Sequence, residues 1–263
     1  MRPSLVIVGA GPRGTGVLER IAANAPELYA GSGLDVHLVD PHPPGAGRIW
    51  RADQSPLLWM NSHAEDVTMF TDDTVDMAGP VRPGPTLHEW AGIDGRTFAD
   101  RRLQGDYLRW VHERALAELP PGVTVHHHQH RALRVTGPRE GRQQVWLDGH
   151  EQPLTADLVV LALGHLDAEP DDEQRALTAY ARTHGLVHLP PHFTADTDLD
   201  VLPAGRPSWS AGSASPSSTS WCCSPRGGAD GTTATPISPP GGSRCCTSVR
   251  GAECRTTRSS ATT

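Results

Sequence analysis

A glycine-rich turn near the start of the chain, set between an apolar run and a helical pattern, limits the possible folds more than any other feature. Ser4–Val8 reads SLVIV, GAGPRG follows with Gly9, Gly11 and Gly14, and Val17, Leu18, Ile21 and Ala22 then recur on one helical face. A short run that is apolar throughout suits a central parallel strand covered on both faces. The turn therefore joins a buried strand to a helix that packs back on it, the context in which a GxGxxG spacing binds a dinucleotide. Gly9 permits the tight turn, Gly11 lets a pyrophosphate approach the backbone, and Gly14 lets helix and strand come close. Pro12, within the same turn, is counted with the glycines as a cofactor-binding residue, and the free N–H groups and dipole of the helix that follows favour an anion.

A second strand is expected over Leu34–Val39, ending at Asp40. A carboxylate at that strand tip accepts hydrogen bonds from ribose hydroxyls and repels a 2′-phosphate, so the site suits FAD or NAD rather than NADP. Read alone, Asp40 is also a turn-opening aspartate before Pro41.

What comes next separates the two dinucleotides. A plain NAD dehydrogenase would continue into another helix and strand. Here the chain turns through Gly45 and Gly47 to Trp50 and crosses a long mixed stretch. The segments GAGPRGTGVLERI, PPGAGRIWRADQ, LLWMNSHAEDVTMFTD, RRLQGDYLRW and ADLVVLALGH together resemble the FAD/NAD(P)-binding domain of FAD-dependent urate hydroxylases and aspartate N-monooxygenases. The resemblance runs over residues 4–203. It implies an α/β, glutathione-reductase-like Rossmann-type fold with a parallel sheet, a small β-rich section and a helical excursion between Asp53 and Pro120.

It also implies function. FAD would be the cofactor and NAD(P)H the electron donor, with one oxygen atom passing to a nitrogen or carbon of a small-molecule substrate. The Gly47–Trp50 turn would lie along the flavin, the backbone near Val125 would meet the adenine, and Gly164 would close the site after a strand over Leu158–Leu163. The Ala162-Leu163-Gly164 ending departs mildly from the family's Ala-Thr-Gly. Asn61 falls where related monooxygenases place an amide beside the isoalloxazine, and it reads equally well as a helix cap or turn residue.

Other patterns are structural. Tyr107, Leu108, Trp110 and Val111 share a helical stripe expected to pack on the sheet. Val123–His126, Ala132–Thr136, Val145–Leu147 and the segment around Leu154 read as strands. His126, His127, His128 and His130 resemble a metal cluster, but adjacent strand residues face opposite ways and no carboxylate stands at ligand spacing, so no metal is expected. Asp66, Asp72, Asp73 and Asp76 lack the glycine and closing glutamate of a calcium loop and read as caps and solvent-facing charge.

Composition excludes further classes. The net charge of −7 argues against nucleic acid as a partner. The chain contains no lysine, which removes Walker-type phosphate loops and Schiff-base chemistry. No apolar stretch reaches the roughly eighteen residues of a membrane span, and the opening apolar run is too short for a signal peptide, so a cytoplasmic protein is expected.

Composition changes near Ala204. Residues 204–263 hold all five cysteines, are rich in Ser, Thr, Gly, Pro and Arg, and contain only Asp230 and Glu253 as acids. Two readings stand. One is a disordered low-complexity tail serving as an interaction arm. The other is translation out of frame. Joining the last base of each codon to the first two of the next from Arg206 allows TVLVRGLGLAFFDLVVLLTEG, a strand, turn and apolar helix, and the same shift over Ala252–Arg258 allows GVPYHA. The expected division is thus a binding domain over 1–203 and a tail over 204–263. Functionally, an FAD-dependent monooxygenase whose turnover is curtailed by truncation stands beside an NAD-dependent dehydrogenase and a non-catalytic dinucleotide-binding fragment.

Overall fold

A computed structural model describes residues 2–29, 33–198 and 200–202. β1 (Ser4–Val8) is buried along its whole length, and it leads through the glycine turn into α1 (Pro12–Leu28). β2 (Leu34–Val39), β5 (Val123–His128) and β9 (Leu158–Leu161) complete a four-stranded parallel sheet in the order β5-β2-β1-β9. The register places Val6 opposite His37 on one side and Val159 on the other.

Because strand side chains alternate, the apolar residues of β1 feed two separate cores. Leu5 and Ile7 pack with Leu18 of α1, Val36 and Leu38 of β2, and Ala115 of α3 (Arg101–Ala117). Val6 and Val8 point the other way, against Val145, Leu147 and Ala156. Those three belong to an antiparallel meander of β6 (Ala132–Thr136), β7 (Gln143–Leu147) and β8 (Leu154–Ala156). This is the small β-rich section expected from the sequence.

The excursion between Asp53 and Pro120 is not purely helical. It holds an irregular antiparallel pair, β3 (Trp59–His63) with β4 (Phe98–Asp100), a 3-10 turn over Ala64–Asp66, α2 (Leu87–Ala91) and α3. A capping box between Thr86 and Glu89 starts α2, and the Asp100 carboxylate caps α3 by accepting the Arg102 and Leu103 N–H groups. Tyr107 and Val111 do not pack on the sheet as expected. They join Ala64, Leu87 and Ala99 in a third core inside the excursion, while Ala115 and Leu116, farther along α3, reach the core against the sheet.

β9 ends at Leu161, two residues before the expected Leu163, where the backbone of Ala162 runs against Gly9. β5 extends to His128, two residues past the expected end. α4 (Asp172–Thr183), which the sequence reading passed over, starts at Asp171, whose carboxylate accepts the Gln174 N–H. Met1–Thr197 is one compact unit. In the unit that follows, Asp198–Thr263, the described residues form a short turn in which the Asp200 N–H donates to the Asp198 carboxylate. Both readings of residues 204–263 fall outside the described residues. Among the described residues no helix is long and apolar enough to cross a membrane.

Candidate dinucleotide site

The site forms at the carboxyl ends of β1 and β2, where open α/β sheets bind ligands. Gly9 has φ +103°, and its N–H donates to the Val39 carbonyl of β2 at 2.8 Å. A side chain at Gly14 would sit 2.0 Å from the Gly9 carbonyl oxygen, so α1 closes on the turn only because Gly14 lacks a Cβ. Gly11 is the N-cap of α1 and Pro12 its first residue. No side chain caps this helix and no acid lies in its first turn, so its amino end is open to an external anion.

The Asp40 carboxylate is held beside the turn from two directions. One oxygen accepts the Ala10 N–H at 2.9 Å and the other the His42 N–H at 2.8 Å. Each oxygen retains a lone pair for a further donor. Burial lowers the His42 pKa, with the charge of Asp40 opposing the shift.

The second glycine turn closes the other side. The Gly45 N–H donates to the Ala10 carbonyl at 2.8 Å, and Gly47, at φ +56°, faces Gly11 so closely that a Cβ there would lie 2.9 Å from the Gly11 Cα. Two backbone turns thus meet without side chains between them, beside the open amino end of α1 and the Asp40 carboxylate. The Trp50 ring follows this turn, with its backbone carbonyl against Gly105 of α3.

Ion pairs fasten the turn to residues far along the chain. Arg48 donates to Asp167 at 2.8 Å and to Asp196 at 2.7 Å, and Arg51 pairs with Asp196 at 2.5 Å. Burial alone would raise the Asp196 pKa, but hydrogen bonds from Arg48 and Arg51 reverse this and hold the carboxyl low. The sequence reading missed these residues. Arg48 and Arg51 lie inside the quoted GRIWRADQ, but nothing local marks their acidic partners.

The structure brings Gly9, Gly11, Pro12, Gly14, Asp40 and Gly47 together, with Trp50 at their edge. Val125 stands apart, mid-strand and level with Val36, while the backbone level with Asp40 is that of His128, whose carbonyl accepts the Asp40 N–H at 3.1 Å. Gly164, at φ +68°, is exposed just beyond Ala162, whose carbonyl would meet a Gly9 Cβ at 2.3 Å. Asn61 is an exposed residue of β3 whose side chain makes no hydrogen bond among the described residues.

The histidines of β5 alternate across the strand, with His127 turned toward His112 of α3. His126 and His128 share a face and flank His37 of β2. The His37 Nδ1 lies 2.9 Å from the His128 Nε2, the His126 ring stacks on His37 at 4.8 Å, and Asp35 approaches His126 at 3.9 Å. The cross-strand partners His37 and Asp35 come from the β2–β5 register, which the chain does not announce locally. Among the described residues no group of three or more His, Cys, Asp or Glu is placed to hold a metal ion.

Comparison with known proteins gives the family. A family model described as FAD-NAD(P)-binding matches residues 6–166. The chain is 43% identical over 209 residues to the nitrosuccinic acid synthase of Aspergillus oryzae, covering 77% of this chain and 32% of that protein. It is 39% identical over 233 residues to the L-aspartate N-monooxygenase (nitrosuccinate-forming) of Streptomyces davaonensis, covering 78% of this chain and 36% of that protein. The enzyme of the same name from Streptomyces cremeus is 39% identical over 238 residues, covering 78% of this chain and 35% of that protein. The chain thus spans about a third of the length of the curated relatives it matches.

Proposed function

The chain belongs to the FAD-NAD(P)-binding family, and from that premise we propose that it is the FAD-holding part of a flavin-dependent monooxygenase that uses NAD(P)H to hydroxylate the amino nitrogen of a small acidic amino acid. The observation that carries the reading is the meeting of Gly11 and Gly47, two glycine turns in backbone contact beside the open amino end of α1. A dehydrogenase built on the first glycine turn alone has no use for the second. The substrate follows the relatives, whose names specify aspartate or nitrosuccinate.

In this reading the N–H groups at the start of α1 hold the pyrophosphate, and Gly9, Pro12 and Gly14 shape the turn. Asp40 takes the ribose hydroxyls and, with its oxygens already fixed by Ala10 and His42, orders without further cost. The adenine lies along the backbone at the end of β5, nearer His128 than Val125. Gly164 borders the entrance, and Trp50 shields the flavin side from water. The bound flavin supplies electron transfer from NAD(P)H to oxygen, and the protein supplies grip, orientation and a dry cleft. Asn61 sits outside this constellation.

Purification decides the reading. The full chain is expected to retain yellow flavin absorbance through gel filtration, and added NAD(P)H is expected to bleach it. Colourless protein that binds NAD instead would replace the reading with the dehydrogenase alternative. Flavin that binds without being reduced would leave a binding fragment.

A further inference from the structure

Three guanidiniums, those of Arg48, Arg51 and Arg101, gather at the edge of the second glycine turn with the carboxylates of Asp167 and Asp196. Both carboxylates are taken by Arg48 and Arg51. Arg101 touches the group only through neutral partners. Its Nη1 donates to the Thr194 hydroxyl at 2.8 Å, and its guanidinium lies over the Trp50 ring, 5.6 Å from the centroid. The neighbouring Asp100 carboxylate is spent on the N-cap of α3.

Arg101 is therefore a half-buried cation that forms no ion pair among the described residues, and its Nε is buried with no acceptor. Burial lowers its pKa, with no opposing carboxylate. Leaving a charged donor this way is costly, because the desolvation penalty is met only by an aromatic face and one hydroxyl. Such a cost persists where a ligand settles it. Guanidinium presents a planar fork that matches a two-oxygen anion, and in a chain without lysine it is the available group for this task.

We propose that Arg101 is an oxyanion receptor at the Trp50 edge of the dinucleotide cradle, binding a carboxylate of a small acidic substrate through its Nη2, which has no partner among the described residues. The proposal rests on the monooxygenase reading only for the identity of that anion. A nucleotide phosphate offers the same chemistry, and the two sources are separated experimentally.

The test is a titration of the full, flavin-free chain with succinate and, in parallel, inorganic pyrophosphate, followed by tryptophan fluorescence and by equilibrium dialysis. Succinate is expected to give a saturable signal, weakened at least about tenfold in Arg101→Gln and partly restored in Arg101→Lys. Trp50→Phe should still bind succinate by dialysis while losing the fluorescence change. Pyrophosphate binding with no succinate binding would assign Arg101 to the cofactor phosphates and overturn the substrate role. Wild-type chain that binds neither, or Arg101→Gln that titrates like wild type, would overturn the receptor altogether. If Arg101→Gln fails to fold, the wild-type and Arg101→Lys titrations still decide. Because flavin is absent, a failure here is distinct from a failure of flavin binding.

Discussion

The Asp40 carboxylate accepts the Ala10 N–H at 2.9 Å, tying the tip of the second strand to the turn that follows the first. The same group that would grip the ribose is thus a structural strut. Asp40→Ala should therefore fail twice. Thermal unfolding of the flavin-free chain should drop by about 1–3 kcal/mol, since two backbone donors lose their acceptor. FAD affinity should fall by more than this loss of fold explains. A melt that is unchanged while FAD affinity falls would remove the strut from the account.

Two glycines should respond unequally to alanine. At Gly14 the new methyl would meet the Gly9 carbonyl at 2.0 Å, so α1 must move off the sheet. Gly14→Ala should cost several kcal/mol, at least about 3, and abolish soluble expression or FAD binding. Gly92 has open space around it and only a left-handed backbone, φ +65°, to satisfy. Gly92→Ala should cost about 1 kcal/mol and leave FAD binding intact. Denaturant midpoints of the two variants give the comparison.

His112 lies buried on α3, 3.4 Å from the Thr15 hydroxyl of α1, and burial followed by the charge of His127 pushes its pKa down to about 4. The unfolded chain takes up this proton near pH 6.5 and the folded chain does not. Stability is therefore fully present above pH 6.5, declines as pH falls toward 4, and levels off below, a loss on the order of 3 kcal/mol from this group. His128, also held near 4 by burial and by the charges of His37, His126, His130 and His150, adds to the slope over the same window. Urea unfolding at intervals from pH 7 to pH 4 should show the decline, and His112→Gln should flatten part of it. An equally steep slope in that variant would place the effect elsewhere.

Tyr107 is fully buried, and its hydroxyl donates to the Pro85 carbonyl at 2.7 Å while accepting the Met69 N–H at 3.3 Å. Removing only the oxygen in Tyr107→Phe should cost about 1–3 kcal/mol. Tyr107→Ala, which also empties the core around Leu87 and Val111, should cost about 3–5 kcal/mol. Both are measured as shifts in denaturant midpoint. Near-equal losses would mean that the excursion core collapses around the cavity.

The first strand, turn and helix were legible because every signal there is local. The apolar run of Ser4–Val8, the glycine spacing and the helical recurrence of Leu18 and Ala22 all sit within one short stretch. β3 was not, since Trp59, Asn61 and Ser62 are exposed and its pairing with β4 is irregular, so no period-2 pattern marks it. α4 had a readable start in Asp171 and was passed over. In the site, Gly9, Gly11, Gly14 and Asp40 were legible from spacing. Arg48 was not identified, because Asp196 is 148 residues away and no periodicity links a cation to so distant an acid. The His37–His128 pairing needs the register of two strands whose order in the sheet differs from their order in sequence.

The position of β1 between β2 and β9 governs the order in which the cradle can be completed. One flank of the first strand is synthesised almost at once, but the other, with the Ala162 carbonyl that abuts Gly9, emerges from the ribosome long after. A nascent chain halted before Leu158 carries every glycine of the turn and still has that turn open along one edge. Until Leu158–Leu161 is made, the edge of β1 beside the Gly9 turn has no strand to pair with, and its backbone groups there must be met by water.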